Sequence, residues 1–388
     1  MIQETQIIRR IKIAIVIMVL ALGAVTLVRG VWQVPPQTDF TVYTLAAQAV
    51  LDDGDIYQIH NIRGWCYVYP PLFAITMIPM AKLPLWAGVL IWYLLSVAAI
   101  YYSIRISVKM TGAGNPALYL LPSLAMIGFL LDGLVRGQAS MPMLWLVMAA
   151  VCCEGKGQIQ RGAACLAGAV LLKVFPVLLL GYFVWMRKWR FVLATLAWVA
   201  AGFFILPAAV FGWRGNLALL NEWIGIVAKP ALNIARSTSP LFGQLLDPAK
   251  NRNQSFEAVF TRIVPHSNAF LLSIFTGLAM AAVMLLVARR CRDKAILLSA
   301  VLCWMLLISP VSENHYFSLL LLPLTVLFAL HRRNEARVAL AFFIVTHLWW
   351  HCFQWPQVYG AVCWGTLGVW IALMLIGWRC REVEGLRG

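Results

Sequence analysis

Apolar stretches long enough to cross a lipid bilayer recur along this chain, and most charged residues fall in the gaps between them. A helix needs about 20 residues to traverse the hydrocarbon core. Inside that core water satisfies no backbone polar group, so many such stretches confine the fold to a bundle of helices. The sequence predicts spans near 11–28, 85–104, 116–134, 191–211, 269–288, 295–309, 317–330, 338–353 and 358–378. A shorter run, 141–153, crosses as well once residues 138–140 are added. Charged residues are 12% of the chain, about half the share usual in soluble domains, and the mean hydropathy is +0.81. The first run lacks a small-x-small cleavage site and is followed by further spans, which reads as an uncleaved signal anchor.

In a soluble protein the net charge of +16 would suggest nucleic acid. Here the tendency of cytoplasmic loops to collect lysine and arginine accounts for it. With the amino terminus inside, twenty of the 31 basic residues fall in seven short inner clusters, from Arg9-Arg10 to Arg379 and beyond. This count requires residues 162–186 to be a helical hairpin broken near Lys173-Val174-Phe175-Pro176, since proline breaks helices. The expectation is an all-helical membrane domain, 1–388, of about twelve crossings with both termini inside. Nine cysteines at irregular positions, mostly within spans, do not form a disulfide framework.

Inner loops are short, and no Walker loop or GxGxxG is present, so an ATP-driven pump or a nucleotide-sugar enzyme lacks a place for its nucleotide. The non-membrane mass lies in two outer loops, about 29–84 and 212–265. Residues 40–51 carry apolar side chains at helical spacing behind Asp39, and 72–83 is apolar and closed by Pro84. Both predict helices lying in the membrane interface. The remaining basic residues and nine acids, Asp39, Asp132, Arg236, Glu257 and Glu313 among them, then face outward. That mixture suits a cavity for an anionic, hydroxyl-rich ligand.

Several residues carry two readings each. Asp39 caps a helix or acts as a general base at the membrane surface. Arg136, at a span end, snorkels or grips a phosphate through its planar fork. Lys173, an ionisable group in an apolar stretch, marks a functional site, with phosphate as the fitting partner. His315, in the polar turn 309–316, caps a helix or donates to a phosphate. Asn253-Gln254-Ser255 opens the helix-like stretch 256–263, where capping is the plain explanation. Asp52-Asp53-Gly54-Asp55 contains D-x-D, but Asp-Gly favours a turn and no further ligands lie near, so no metal or other cofactor is expected. His347 and His351 stand four apart without a third ligand, the pattern of core residues more than of a zinc site.

Taken in order, Asp39-Phe40-x-x-Tyr43, Asp55-Ile56-Tyr57, Tyr69-Pro70-Pro71-Leu72-Phe73, Gly137-Gln138, Lys173-x-x-Pro176, Asn253-Gln254-Ser255 and Ser309-Pro310 through His315-Tyr316 resemble glycosyltransferase family 87. These are polyprenyl-phosphate-mannose-dependent enzymes of the GT-C superfamily. The likeness runs from about Asp39 to Pro323, and it departs at Ser140, where the family often has asparagine. It implies inverting transfer of a hexose, mannose above all, from a polyprenyl-phosphate donor to a hydroxyl on a lipid-linked or glycan acceptor. The active site would face the outside of the plasma membrane, among membrane lipids and with no nucleic acid. The resemblance makes Asp39 the general base. Lys173, Arg136 and His315 are the electrostatic choices for the donor phosphate, and Tyr43, Tyr69, Gln138, Asn253, Gln254 and Glu313 are the substrate contacts that go with them. A phosphate leaving group needs positive charge more than a proton, so one carboxylate suffices where a glycosidase needs two. The rival class is a transporter or flippase for a lipid-linked glycan. It would carry matched broken helices in inverted repeats, and only one broken segment is visible in the sequence.

Overall fold

The computed structural model describes residues 2–33, 38–264 and 268–379. Helix dominates; among the described residues the one β contact is an isolated bridge between His60 and Cys66. Five helical stretches are long and apolar enough to cross a membrane: Ile13–Trp32, Leu85–Thr111, Trp189–Ala231, Ala269–Ala288 and Ala361–Trp378. The bent pair Ile127–Val135 and Ser140–Gly155 makes a sixth if it is taken as one span. Shorter apolar helices fill the interior, Lys294–Ile308 and Ile159–Leu172 among them. The chain is a multi-pass membrane protein.

Leu, Phe, Met and Ala side chains of 126–192 and 295–376 form the main core, and a second, aromatic-rich cluster gathers around Phe40, Tyr43, Tyr69, Phe73 and Trp92. Exposed Leu, Ile, Phe and Trp side chains stud the outer faces of Trp189–Ala231 and Ala269–Ala288, as expected where lipid replaces water.

One expected span comes out segmented, and the expected hairpin breaks at its proline. Residues 116–134 are not one helix but the turn Pro116–Tyr119, Leu121–Ala125 and Ile127–Val135. Pro116 and Pro122 remove backbone donors there, and Asn115 starts the first turn by accepting from Ala117 N–H. In 162–186 the break falls where Pro176 places it: Ile159–Leu172 ends, Lys173 is extended at φ −150°, and the turn Phe175–Leu178 leads into Leu179–Trp185. The helix from Leu206 turns at Gly212, whose φ of 70° suits glycine. The 40–51 helix forms as read from the spacing, whereas 72–83 becomes two short helices, Pro71–Thr76 and Ile78–Ala81.

Candidate functional site

The chain bends by 119° between Ile127–Val135 and Ser140–Gly155, and Gly137 makes the bend with a φ of 64°. A Cβ at Gly137 would sit 3.0 Å from that of Phe40, and its carbonyl accepts from the Trp92 indole at 2.9 Å. Glycine therefore lets the bend press against the start of the Phe40–Leu51 helix. The contact carries chemistry: Asp39 N–H donates to the Arg136 carbonyl at 2.7 Å, and Arg136 Nε donates to Asp39 Oδ2 at 3.2 Å. Gln138 Nε2 donates to the same oxygen.

Asp39 sits at the cap position but makes no side-chain capping bond. Its carboxylate is aimed across the bend, and among the described residues Oδ1 has no hydrogen-bond partner. The capping reading of this side chain is therefore set aside. Burial pushes the Asp39 carboxyl above its ordinary value, against the opposing pull of Arg136. Burial likewise raises Glu313.

A cavity of about 800 Å³ opens over this carboxylate. It gathers Asp39, Tyr43, Tyr69, Arg136, Gln138, Lys173, Glu313 and His315 from segments far apart in the chain. The hydroxyls of Tyr43 and Tyr69 meet at 3.0 Å, and Phe73 and Trp92 pack edge-on to Tyr43. Away from the charged end the lining turns apolar, with Leu172, Val174, Val177, Leu178, Val227 and Leu246.

Lys173 lies at the helix break with Nζ 3.3 Å from His315 Nε2 and 3.7 Å from the centre of the Tyr316 ring. Tyr316 stacks on Phe175, with their planes within 7°. An ammonium only donates, so Nε2 is the acceptor and the ring proton of a neutral His315 sits on Nδ1. Nδ1 faces Asp132 Oδ2 at 3.4 Å and Glu313 Oε2 at 3.9 Å. Asp132 in turn lies 3.9 Å from Arg136 NH1. A line of polar contacts thus joins Lys173, the neutral His315, Asp132, Arg136 and Asp39.

Sequence reasoning counted Asp132 only as an outward acid. Its signal was available, an acid four residues before Arg136 in an apolar run. Trp65, whose ring lies 5.6 Å from the Arg136 guanidinium carbon, carried none, and Tyr316 appeared only as the end of the His315-Tyr316 motif.

Asn253 and Gln254 are buried behind the cavity wall and do not line it. Asn253 Nδ2 donates to the Pro310 carbonyl, and its Oδ1 accepts from Ser255 and Ser312 N–H. Gln254 Nε2 donates to the carbonyls of Asn251 and Gln357. Ser255 is the cap of Phe256–Ile263, accepting from Ala258 N–H. The D-x-D stretch forms a turn outside the cavity, with Asp53 at a φ of 53° and Asp55 accepting from Tyr57 N–H. His347 packs on Phe129 and Phe343, and the side chain of His351 lies outside the described residues. Arg236 and Glu257, expected among the outward-facing charges, are buried against each other. Among the described residues no three His, Cys, Asp or Glu gather as a metal site.

Residues 67–310, well over half of the chain, match the sequence model of glycosyltransferase family 87. The polyprenol-phosphate-mannose-dependent alpha-(1-2)-phosphatidylinositol pentamannoside mannosyltransferase of Mycobacterium tuberculosis is 24% identical over 333 residues, covering 80% of this chain and 70% of that protein.

Proposed function

The chain belongs to glycosyltransferase family 87, and from that premise we propose that it transfers mannose from polyprenyl-phosphate mannose to a hydroxyl of a lipid-linked or glycan acceptor, with inversion. The observation that carries the proposal is the half-bonded Asp39 carboxylate opening on the same cavity as Lys173 and Arg136. Such a cavity fits a donor with an anionic head and an apolar tail: charge at one end, Leu172, Val177 and Leu178 towards the other.

In this reading Asp39 takes the proton of the acceptor hydroxyl. The acceptor oxygen bonds to C1 of the sugar from the face opposite the phosphate as the C1–O bond breaks. The electron pair stays on the departing phosphate oxygen, where Lys173 and Arg136 stabilise the charge from a site shielded from bulk water. His315 serves that step through Lys173, holding its ammonium from one side while Asp132 fixes the imidazole. Tyr43, Tyr69, Gln138 and Glu313 edge the space left for the sugar, and Asn253 and Gln254 brace its wall.

The orientation we propose has twelve crossings, both termini cytoplasmic and the cavity on the outer face of the plasma membrane, set by the basic inner clusters. Reporter fusions after Arg190 and Arg290 should both read cytoplasmic. The direct test of function incubates the purified protein with polyprenyl-phosphate mannose and a glycan acceptor, and reads the new glycosidic bond by NMR. Inverted product supports the proposal; no transfer, or retained configuration, refutes it.

A further inference from the structure

A second cavity, of about 520 Å³, adjoins the first and shares Gln244, Lys250, Arg252 and Glu313 with it. The rest of its wall is Asn251, Gln354 and Gln357, so every side chain lining it carries an amide or a charge. The larger cavity is different, with aliphatic and aromatic residues along much of its lining. The smaller one offers a lipid tail no aliphatic or aromatic side chain. A polyol does find partners in the amides of Asn251 and Gln354, each with donors and an acceptor, while Gln244 is held by the Cys66 backbone.

Asn253 and Gln254 brace the shared wall from behind. Gln254 N–H donates to the Ser312 carbonyl and its side chain to that of Gln357, while Asn253 bonds Pro310 and Ser312. The loop bearing Glu313 and the segment bearing Gln354 and Gln357 are thus pinned to the same two residues, which fixes the second cavity against the first. The side chains of Asn251, Arg252 and Gln354 are exposed there, and no described residue bonds them. Lys250 Nζ is held only by the carbonyls of Gly243 and Gln244, so its charge meets no acid at contact distance. Two cations line it against one carboxylate, Glu313, with Asp132 also within electrostatic reach of Arg252.

We infer that this second cavity receives the glycan end of the acceptor, and that the glycan carries a negative group beside the sugar that is extended. Glu313, lining both cavities, marks where the two substrates meet. The inference rests on the transfer reading above, and the two fail differently.

The experiment uses purified full-length protein with polyprenyl-phosphate mannose and two acceptors, octyl mannoside and its phosphate monoester. Donor hydrolysis to water is followed in parallel. Arg252→Gln should raise the KM of the phosphorylated acceptor about 10- to 100-fold, the scale of one charge-assisted hydrogen bond, and leave the neutral acceptor's KM nearly where it was. Gln354→Ala should raise the KM of both acceptors about 3- to 10-fold, lowering the ratio of transfer to hydrolysis while the donor's KM holds. Equal shifts for both acceptors in Arg252→Gln would overturn the anionic assignment. Unchanged acceptor KM in Gln354→Ala, or hydrolysis by wild type without transfer to either acceptor, would overturn the site. If wild type neither transfers nor hydrolyses, the transfer reading itself fails.

Discussion

Two arginine–carboxylate pairs are taken largely out of water in this protein, and they are built in opposite ways. Arg236 meets Glu257 with two nitrogens on two oxygens and donates further to the carbonyls of Pro230 and Ala231. Both side chains are under 10% exposed, at 6% and 7%, and neither lines a cavity. Arg136 meets Asp39 through Nε alone, on one oxygen, with exposures of 18% and 20%. The first pair has spent its hydrogen-bonding capacity on the fold. The second keeps a carboxylate oxygen and part of a guanidinium for something that arrives. A saturated buried pair holds structure; an unsaturated one beside a cavity is poised for a substrate.

The difference breaks most sharply under substitution. Arg236→Met leaves Glu257 buried without its partner, which costs about 3–5 kcal/mol. Its melting temperature in detergent should fall well below wild type, while whatever folds keeps its turnover rate. A variant that melts like wild type would show that Arg236–Glu257 is no structural clamp. Arg136→Gln should do the reverse. Turnover drops about 10²–10³-fold, the scale of one lost transition-state donor, and melting stays close to wild type because the pair faces the cavity and glutamine can still donate to Asp39. An unimpaired Arg136→Gln enzyme would erase the contrast.

The pH profile sharpens it. In the proposed mechanism Asp39 works only once deprotonated, so activity should rise as pH climbs through its pKa. Burial has moved that pKa up, so the acid limb should lie above the ordinary 3.8. Gln138 favours the charged form through its hydrogen bond, and Gln138→Leu should carry the limb further up. A limb that ignores this change would remove Asp39 from the titration. The smallest effect belongs to the aromatic wall. Tyr69→Phe loses the 3.0 Å hydroxyl contact with Tyr43 and should cost about 0.5–1.5 kcal/mol, visible in melting and, because Tyr69 edges the proposed sugar space, in a small rise in donor KM.

Local signals were legible in the sequence. The Phe40–Leu51 helix followed from apolar spacing, the break at Lys173 from Pro176, and the polar turn before His315 from its composition. What stayed hidden depends on contacts between distant segments. Arg136 and Asp39 lie 97 residues apart and meet only because Gly137 folds the chain back. His315 finds Asp132 from a different helix. Arg236 and Glu257 read as outward charges because nothing local announces that two residues 21 apart will saturate each other. The run at 116–134 satisfied a hydropathy window, yet its prolines divide it into short pieces. Hydropathy registers apolar content and is blind to backbone donors.

The central claim is that the open carboxylate of Asp39 removes the acceptor's proton, and Asp39→Asn tests it most directly. Asparagine keeps the size and the contact with Arg136 but has no basicity. Turnover and donor affinity are measured on the same purified preparation. The account predicts a fall in turnover of about 10²–10⁴-fold with donor binding and melting nearly unchanged. Turnover at the wild-type rate by Asp39→Asn would contradict it, leaving Asp39 a positioning residue for the bend and the transfer without its base.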